Sequence, residues 1–548
     1  MSGALNDLRK QLMWTRLISI VEESAQALMR TAFSTTVRDA GDLSAAIFDS
    51  RGRMIAEAVT GTPGHVNSMA EGVRHFLERF PVERMEDGDH FVTNDPWLTA
   101  GHLHDITVVS PVVADGKVVA FIGCCCHQLD IGGLGQGPDG RSIFEEGLQI
   151  PLLKLASRGV LNQDLMDILR ANVRTPLQAE GDMLSYIACN QSGSVRLRSM
   201  LDEYGMRELD TLADYIVDES LAATRAAIAK LPQGSWHADM TIDGYDTPIT
   251  LRARLTIAAD TISVDYGGSA PAVSQGINVV LNYCRAYTVF GLKCVVAAEI
   301  PNNHGALLPF IVDAPQGSIL NAQRPAPVAA RHVIGQMLPD LVFGCLGQAL
   351  PDKTPAEGSS CLWSVQLRGV DGNTGASFDT VFFNSGGSGA RATLDGLSAT
   401  AFPSGVRAMP VEVTEAGAPI VIWRKELRPD SGGAGRTQGG LGQIVEVGTR
   451  DGSSFEVLAM FERVQSAARG RAGGHDGATG IVRLGSGPAL RAKGLQRIPT
   501  DDRLVLELPG GAGLGDPSAR DPQHVAQDIE HGRLSAEFAA QAYSQAVG

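Results

Sequence analysis

Six of the chain's twelve histidines, His65, His75, His90, His102, His104 and His127, lie between positions 65 and 127 of a 548-residue sequence. Three of them neighbour carboxylates in two short strings, GHLHD (101–105) and CHQLD (126–130). Between the strings lie ITVVSPVV (106–113), the pair Asp115-Gly116, and KVVAFIGCCC (117–126), two apolar β-type runs joined by a two-residue turn signal. A hairpin on that turn brings the strings together. Unbroken pairing from Ala114 opposite Lys117 sets residue 104 opposite 127 and residue 105 opposite 126. Imidazole nitrogens with carboxylate oxygens suit Zn, Mn or Fe, and three protein ligands with an open position let a metal acidify a bound water. Plain strand geometry puts His102, His104 and His127 on one face, whereas a turn over 101–105 brings His102 and Asp105 together as an i, i+3 pair. The residues alone leave both arrangements open, beside the simpler one of hydrogen-bonded side chains at a sheet end.

Other chemical templates are missing. The one Gly-Lys pair, Gly116-Lys117, is followed by Val118, so no P-loop exists, and neither a GxSxG elbow nor an HExxH helix occurs. Cys124, Cys125 and Cys126 fall mid-strand, where alternation buries at most one face, and are expected to be inert core thiols. Eight cysteines without a C-x-x-C pair form neither a disulfide framework nor a zinc ribbon. Four glycine clusters (132–140, 384–391, 430–442 and 509–517) do not follow a strand and open a helix as a dinucleotide fold requires. Tight turns and close backbone packing account for them better than phosphate binding. The first must wrap the hairpin site, because it starts two residues after Asp130.

The elements that position these groups are read from periodicity. Apolar spacing predicts a helix over about 5–32, a hairpin from 44–49 and 54–59, and a helix over 69–80. Residues 163–230 are mostly helical, and LPQG (231–234) marks a boundary. From Ser235 to about Leu508 β-type runs dominate, with helical patches near 280–299 and 330–350; Asp521 to Val547 is a helical tail divided at Gly532. The expected fold is α+β in three parts: 1–234, an N-terminal α+β metal-binding domain; 235–510, a β-rich domain with some helices; and 511–548, a helical tail. With 44% hydrophobic and 20% charged residues and a formal charge of -15, the chain has globular composition and no basic footprint for nucleic acid or an anionic membrane. No apolar signal-peptide core and no run of about 18 apolar residues occurs, so the sequence reads as soluble and cytoplasmic.

The strings DLSAAIFDSRGRM (42–54), TNDPW with HLHDITVVSPV (93–112), HQLDIGG (127–133), DYGGSAP (265–271), IPNNHG (300–305) and RPDSGGAGRTQGGLG (428–442) resemble, in order and over nearly the whole chain, the hydantoinase B/oxoprolinase family. GDPSARDPQHV (515–525) is similar to that family's usual ending. The resemblance implies a metal-bearing B-type subunit working with a separate ATP-binding A-type subunit that phosphorylates the substrate. By motif the metal ligands would be His102, Asp105 and His127 with Asp42 as a fourth, which selects the turn geometry. The ion would be Zn first, with Mn or Fe as alternatives, and ATP would be bound mainly by the partner. Family members commonly carry proline where His104 stands and histidine where Gln128 stands, departures that leave the ligands intact. His65 would be substrate-facing or support a ligand, and Asp130 would orient His127 or act as a base. The expected activity is opening of a lactam, hydantoin or similar cyclic amide, in a hetero-oligomer such as two A-type plus two B-type chains. The alternatives are a component of a biotin-independent ketone carboxylase and a non-catalytic scaffold.

Overall fold

The computed structural model describes residues 2–543, and the end of the expected helical tail lies outside them. Its architecture is α+β, with four sheets among the described residues and long helices packed on the first two of them. Among the described residues no helix is long and apolar enough to cross a membrane.

The N-terminal sheet is antiparallel and runs β2-β1-β5-β4-β3-β6-β7, where β1 is Leu43–Asp49, β2 Met54–Glu57, β3 His90–Thr93, β4 Asp105–Ala114, β5 Lys117–His127, β6 Leu153–Ser157 and β7 Val160–Leu161. Both faces of its centre are covered. Helices Ser2–Thr31 and Pro176–Tyr204 lie on one face, over Ala45, Ile47, Val108, Cys124 and Cys126. Helix Pro63–Arg79 covers the other, where Met69, Val73 and Phe76 meet Ala46, Phe48, Phe121 and Cys125. The three consecutive cysteines are therefore buried on both faces, not one. Burial raises all three thiols, Cys126 to about 12, which makes them inert.

The β4–β5 hairpin departs from unbroken pairing in one place. Val113 opposes Val118 but Val112 opposes Ala120, so Val119 is an extra residue and the register slips by one. Asp105 consequently stands opposite His127, not opposite Cys126. A single inserted residue exchanges which side chains share a face.

A second sheet, in the order Phe310–Asp313, Thr261–Asp265, Ile249–Ala258, Gly234–Ile242, carries helices Leu281–Val296 and Leu338–Ala349. Its core is continuous with that of the first sheet. Helix Leu281–Val296 also packs on helix Pro63–Arg79. Gly64 permits this contact, since a Cβ there would lie 2.6 Å from the Tyr287 ring and 2.7 Å from that of Tyr283.

Two further four-stranded sheets share a separate core that includes Trp363, Phe382, Val447, Phe461 and Leu506. Beside them the glycine-rich segments are extended chains bonded backbone to backbone at three-residue steps. Gly387 N and Ala390 N donate to Pro509 O and Ala512 O; Gly510 N and Gly513 N donate to Ala478 O and His475 O; Ala478 N and His475 N donate to Ser431 O and Ala434 O. A three-residue step is the period of a polyproline-II helix, and where such chains pack side by side only glycine fits at the inward positions. A Cβ on Gly387, Gly439 or Gly511 would sit inside contact distance of a neighbouring carbonyl oxygen. The glycine surplus thus builds close-packed backbone.

Gly511→Val is expected to destabilise the fold by about 1–3 kcal/mol or more through overpacking, seen as a lowered denaturation midpoint. Gly417→Ala, in helix Val411–Gly417 where the added Cβ meets nothing within 4 Å, should not lower that midpoint and should raise it slightly by restricting the unfolded chain.

Candidate metal centre

One row of residues crosses three adjacent strands. His127 N donates to Asp42 O, extending the β1–β5 ladder by one step, and Asp105 is the cross-strand partner of His127 on β4. Period-two alternation puts Asp42, His127 and Asp105 on the face covered by helix Pro63–Arg79, whose first turn supplies His65. His102 comes from the turn before β4, with Asp105 N donating to His102 O at 3.3 Å.

The Asp105 carboxylate is the hub. Its Oδ1 lies 2.8 Å from His102 Nε2 and 3.3 Å from His127 Nδ1, and its Oδ2 lies 3.0 Å from His65 Nε2 and pairs with Arg331. Asp42 approaches two of the same histidines, with Oδ1 3.7 Å from His65 and Oδ2 4.0 Å from His127, and accepts from Thr62 Oγ1 at 3.1 Å. All five side chains are buried. Burial works against charge on Asp105, yet its charged neighbours His65 and Arg331 hold its carboxyl well below the usual range. Burial and then Arg331 push His102 far down, so its imidazole is neutral. Burial opposes the charged form of His65 as well, but Asp105 and Asp42 raise it.

These donors suit a divalent cation. His102 Nδ1 lies 2.9 Å from Ala329 O, the contact that fixes the tautomer with a free Nε2 lone pair. That Nε2 makes no hydrogen bond despite its closeness to Asp105 Oδ1, as expected when both atoms aim at a common point. The ligand atoms of His102, Asp105 and His127 lie within 4.8 Å of one another, and so do those of His65, Asp105 and Cys125. Two imidazoles and two carboxylates form the mixed nitrogen and oxygen set that zinc and manganese accept.

A cavity of about 30 Å³ opens on this row, room for one or two water-sized bodies. The sequence-derived residues Asp42, His65, His102, Asp105 and His127 all line it. Asp130 does not, which corrects its expected role beside His127. Its buried carboxylate accepts from Gly132 N, Arg174 N, Thr175 N and Arg174 Nη1, holding the start of the first glycine cluster to residues 174–175. The cluster still reaches the cavity, through Gln136. His104 is buried behind His127, its ring stacked at 5.3 Å and its Nδ1 3.0 Å from Gln128 O. Burial and then His127 lower it to about 4.

Sequence reasoning missed the opposite wall: Tyr283 and Tyr287 from helix Leu281–Val296, and Arg331, His332 and Gln336 from the turns at 328–337. Arg331 lies 3.9 Å from the Tyr283 ring centroid and donates to Ala100 O. The one signal available was an adjacent Arg and His within an otherwise apolar stretch, VAARHVIG (328–335). Glu146 braces this wall from behind, accepting from Val328 N at 2.7 Å and Ala329 N at 2.9 Å, and so sets the carbonyl that orients His102.

Residues 6–517 match the hydantoinase B/oxoprolinase family model. An uncharacterized protein of Methanocaldococcus jannaschii is 30% identical over 535 residues, covering 96% of this chain and 93% of its own. A protein of a Pseudomonas strain named as the B-type component of a D-/L-hydantoinase is 28% identical, covering 100% of this chain and 97% of its own. The crystal structure of ATP-dependent caprolactamase from Pseudomonas jessenii superposes with a TM-score of 0.89 at 26% identity, covering 98% of this chain and 96% of that one. The chain belongs to the hydantoinase B/oxoprolinase family.

Glu146 gives the centre a pH signature. Burial raises its carboxyl to about 8, and its Oε2 has no partner. The folded state then holds a proton that the unfolded chain releases near pH 4.5, so this group's contribution to stability falls as pH rises from about 5 to about 8. Glu146→Gln, which keeps the accepting oxygen, should flatten that fall in chemical denaturation measured across the range.

Proposed function

We propose that this chain, as a member of the hydantoinase B/oxoprolinase family, is the metal-bearing B-type component of an ATP-dependent enzyme that opens a lactam, hydantoin or similar cyclic amide. An A-type partner would bind ATP and phosphorylate the substrate. The observation that carries the reading is the buried row Asp42–His127–Asp105 with His102 and His65 converging on it from two other segments. A scaffold without chemistry has no use for two carboxylates and three imidazoles gathered where desolvation penalises every charge. The names of its relatives, a D-/L-hydantoinase component and an ATP-dependent caprolactamase, favour amide hydrolysis.

His102, Asp105, His127 and Asp42 would hold the ion, with Zn first and Mn or Fe as alternatives. Bound there, it would polarise a carbonyl or phosphoryl oxygen and lower the pKa of a water. The chain's own groups do the rest. His65, within 3.7 Å of both carboxylates, carries a proton to or from the reacting atoms. Arg331 balances Asp105 and, stacked on Tyr283, keeps the second carboxylate oxygen in place. The apolar residues Leu362, Phe383 and Val406 keep bulk water from the cavity.

Co-expression with an A-type partner, followed by assay of lactams, hydantoins and ketones, should give ATP-dependent ring opening. Consumption of bicarbonate with a ketone, without a ring-opened product, would identify a carboxylase instead. His127→Ala should lose the metal in elemental analysis and lower turnover by at least about 100-fold; full activity in that variant would refute the site.

A further inference from the structure

Helix Pro176–Tyr204 is apolar on both of its sides. The inner side buries Met183, Tyr186 and Leu197 over the first sheet. The outer side carries Leu177, Leu184 and Val195, which are 73%, 47% and 55% exposed. At 3.6 residues per turn, Leu177, Gly181, Leu184, Ala188, Gln191 and Val195 form one stripe along the helix, and none of the six is charged. A helix with apolar residues all round is ordinarily covered all round.

Phe33 widens the stripe. Its ring is 49% exposed and lies on Gly181, where a Cβ would come within 2.3 Å of it. Asp182 fixes the backbone behind the ring, its Oδ1 accepting from Phe33 N at 2.7 Å and Ser34 N at 3.0 Å. A ring already held outward loses little further freedom when a partner covers it.

The charges beside the stripe select the partner. Glu180 and Arg198 are 18 residues apart, five helical turns, so they flank the stripe on the same side and at opposite ends. A two-fold axis crossing the helix near Ala188 sets two copies antiparallel and lays each flank along the same flank of the other copy. Glu180 of each copy then meets Arg198 of the other, while Leu184 sits over Ala188, Gln191 and Val195 of the other. A parallel pairing would set Glu180 against Glu180. Ala188 at the axis lets the two helices approach closely. The partners within the chain, Arg170 for Glu180 at 2.9 Å and Asp87 for Arg198 at 3.0 Å, extend each new pair into a row of alternating charge.

We infer that helix Pro176–Tyr204 is the two-fold interface between two copies of this chain, with Phe33, Leu184 and Val195 as its apolar contacts and Glu180 with Arg198 as its flanking ion pairs. The inference is independent of the reaction proposed for the metal centre.

The test uses the full chain, alone and in complex with an A-type partner. Light scattering of the chain alone should give twice the mass of one copy. Leu184→Glu should raise the dimer dissociation constant at least about 100-fold and leave the circular dichroism spectrum unchanged. Glu180→Arg should weaken the dimer about 10-fold, and adding Arg198→Glu should restore it; a role confined to one chain gives no such rescue. Ala188→Cys should form a disulfide between the two copies on mild oxidation, with peptide mapping to separate it from any link through the exposed Cys294. Absence of the 188–188 link from both preparations, a dimer that survives Leu184→Glu, or a link from position 188 to the A-type chain would each overturn the interface.

Discussion

The buried carboxylate of Asp105 is the interaction on which the rest of this structure depends. An unpaired charge in that position would be costly, so each element around it contributes something that balances or orients it. The hairpin brings His127, the preceding turn His102, helix Pro63–Arg79 His65, and the second layer Arg331. Removing the guanidinium would leave two carboxylates close to the same histidines with no fixed positive charge among the cavity-lining residues. The clustered charges and the packing of the layers are one problem with one solution. A site built this way is preorganised, because its charges are held by neighbours that are themselves locked in the core.

That arrangement explains features which look unrelated in the sequence. Gly64 and Gly335 crowd Tyr283, and Gly101, at φ +93°, crowds both Tyr283 and Arg331; a Cβ at any of them would displace the ring under the guanidinium or the guanidinium itself. Glu146 lies apart from the row in sequence and touches none of its side chains, yet it sets the peptide whose carbonyl orients His102. Val119, a bulged valine near the start of an otherwise ordinary strand, decides which residue faces His127. Each acts on the centre through geometry, and none announces itself by residue type.

The glycine-rich segments of the C-terminal half show a different economy. Backbones bonded at three-residue steps have no room for side chains between them, so this region gains its order from hydrogen bonds and van der Waals contact between main chains. It stands beside the paired sheets of the second core, which contribute Leu362, Ser364 and Phe383 to the cavity rim. Asp130 belongs to the same logic. Its placement three residues after His127 suggests catalysis, but its four accepted hydrogen bonds make it the anchor of a glycine loop.

The sequence by itself determined the family, the α+β class, the hairpin and the residues gathered at its open end, because turn chemistry, strand periodicity and the clustering of histidines are local signals. It also indicated Asp42 and His65, through motif strings and not through spacing. The tertiary structure decided the rest. Strand register depends on one inserted residue that local pattern does not mark, and that register selected Asp105 over His104 as the partner of His127. The wall of Tyr283, Arg331, His332 and Gln336 comes from positions more than 150 residues beyond the hairpin. Only the packing of one layer on another could bring those side chains to the centre, since nothing in a linear sequence encodes which distant face a buried charge will find.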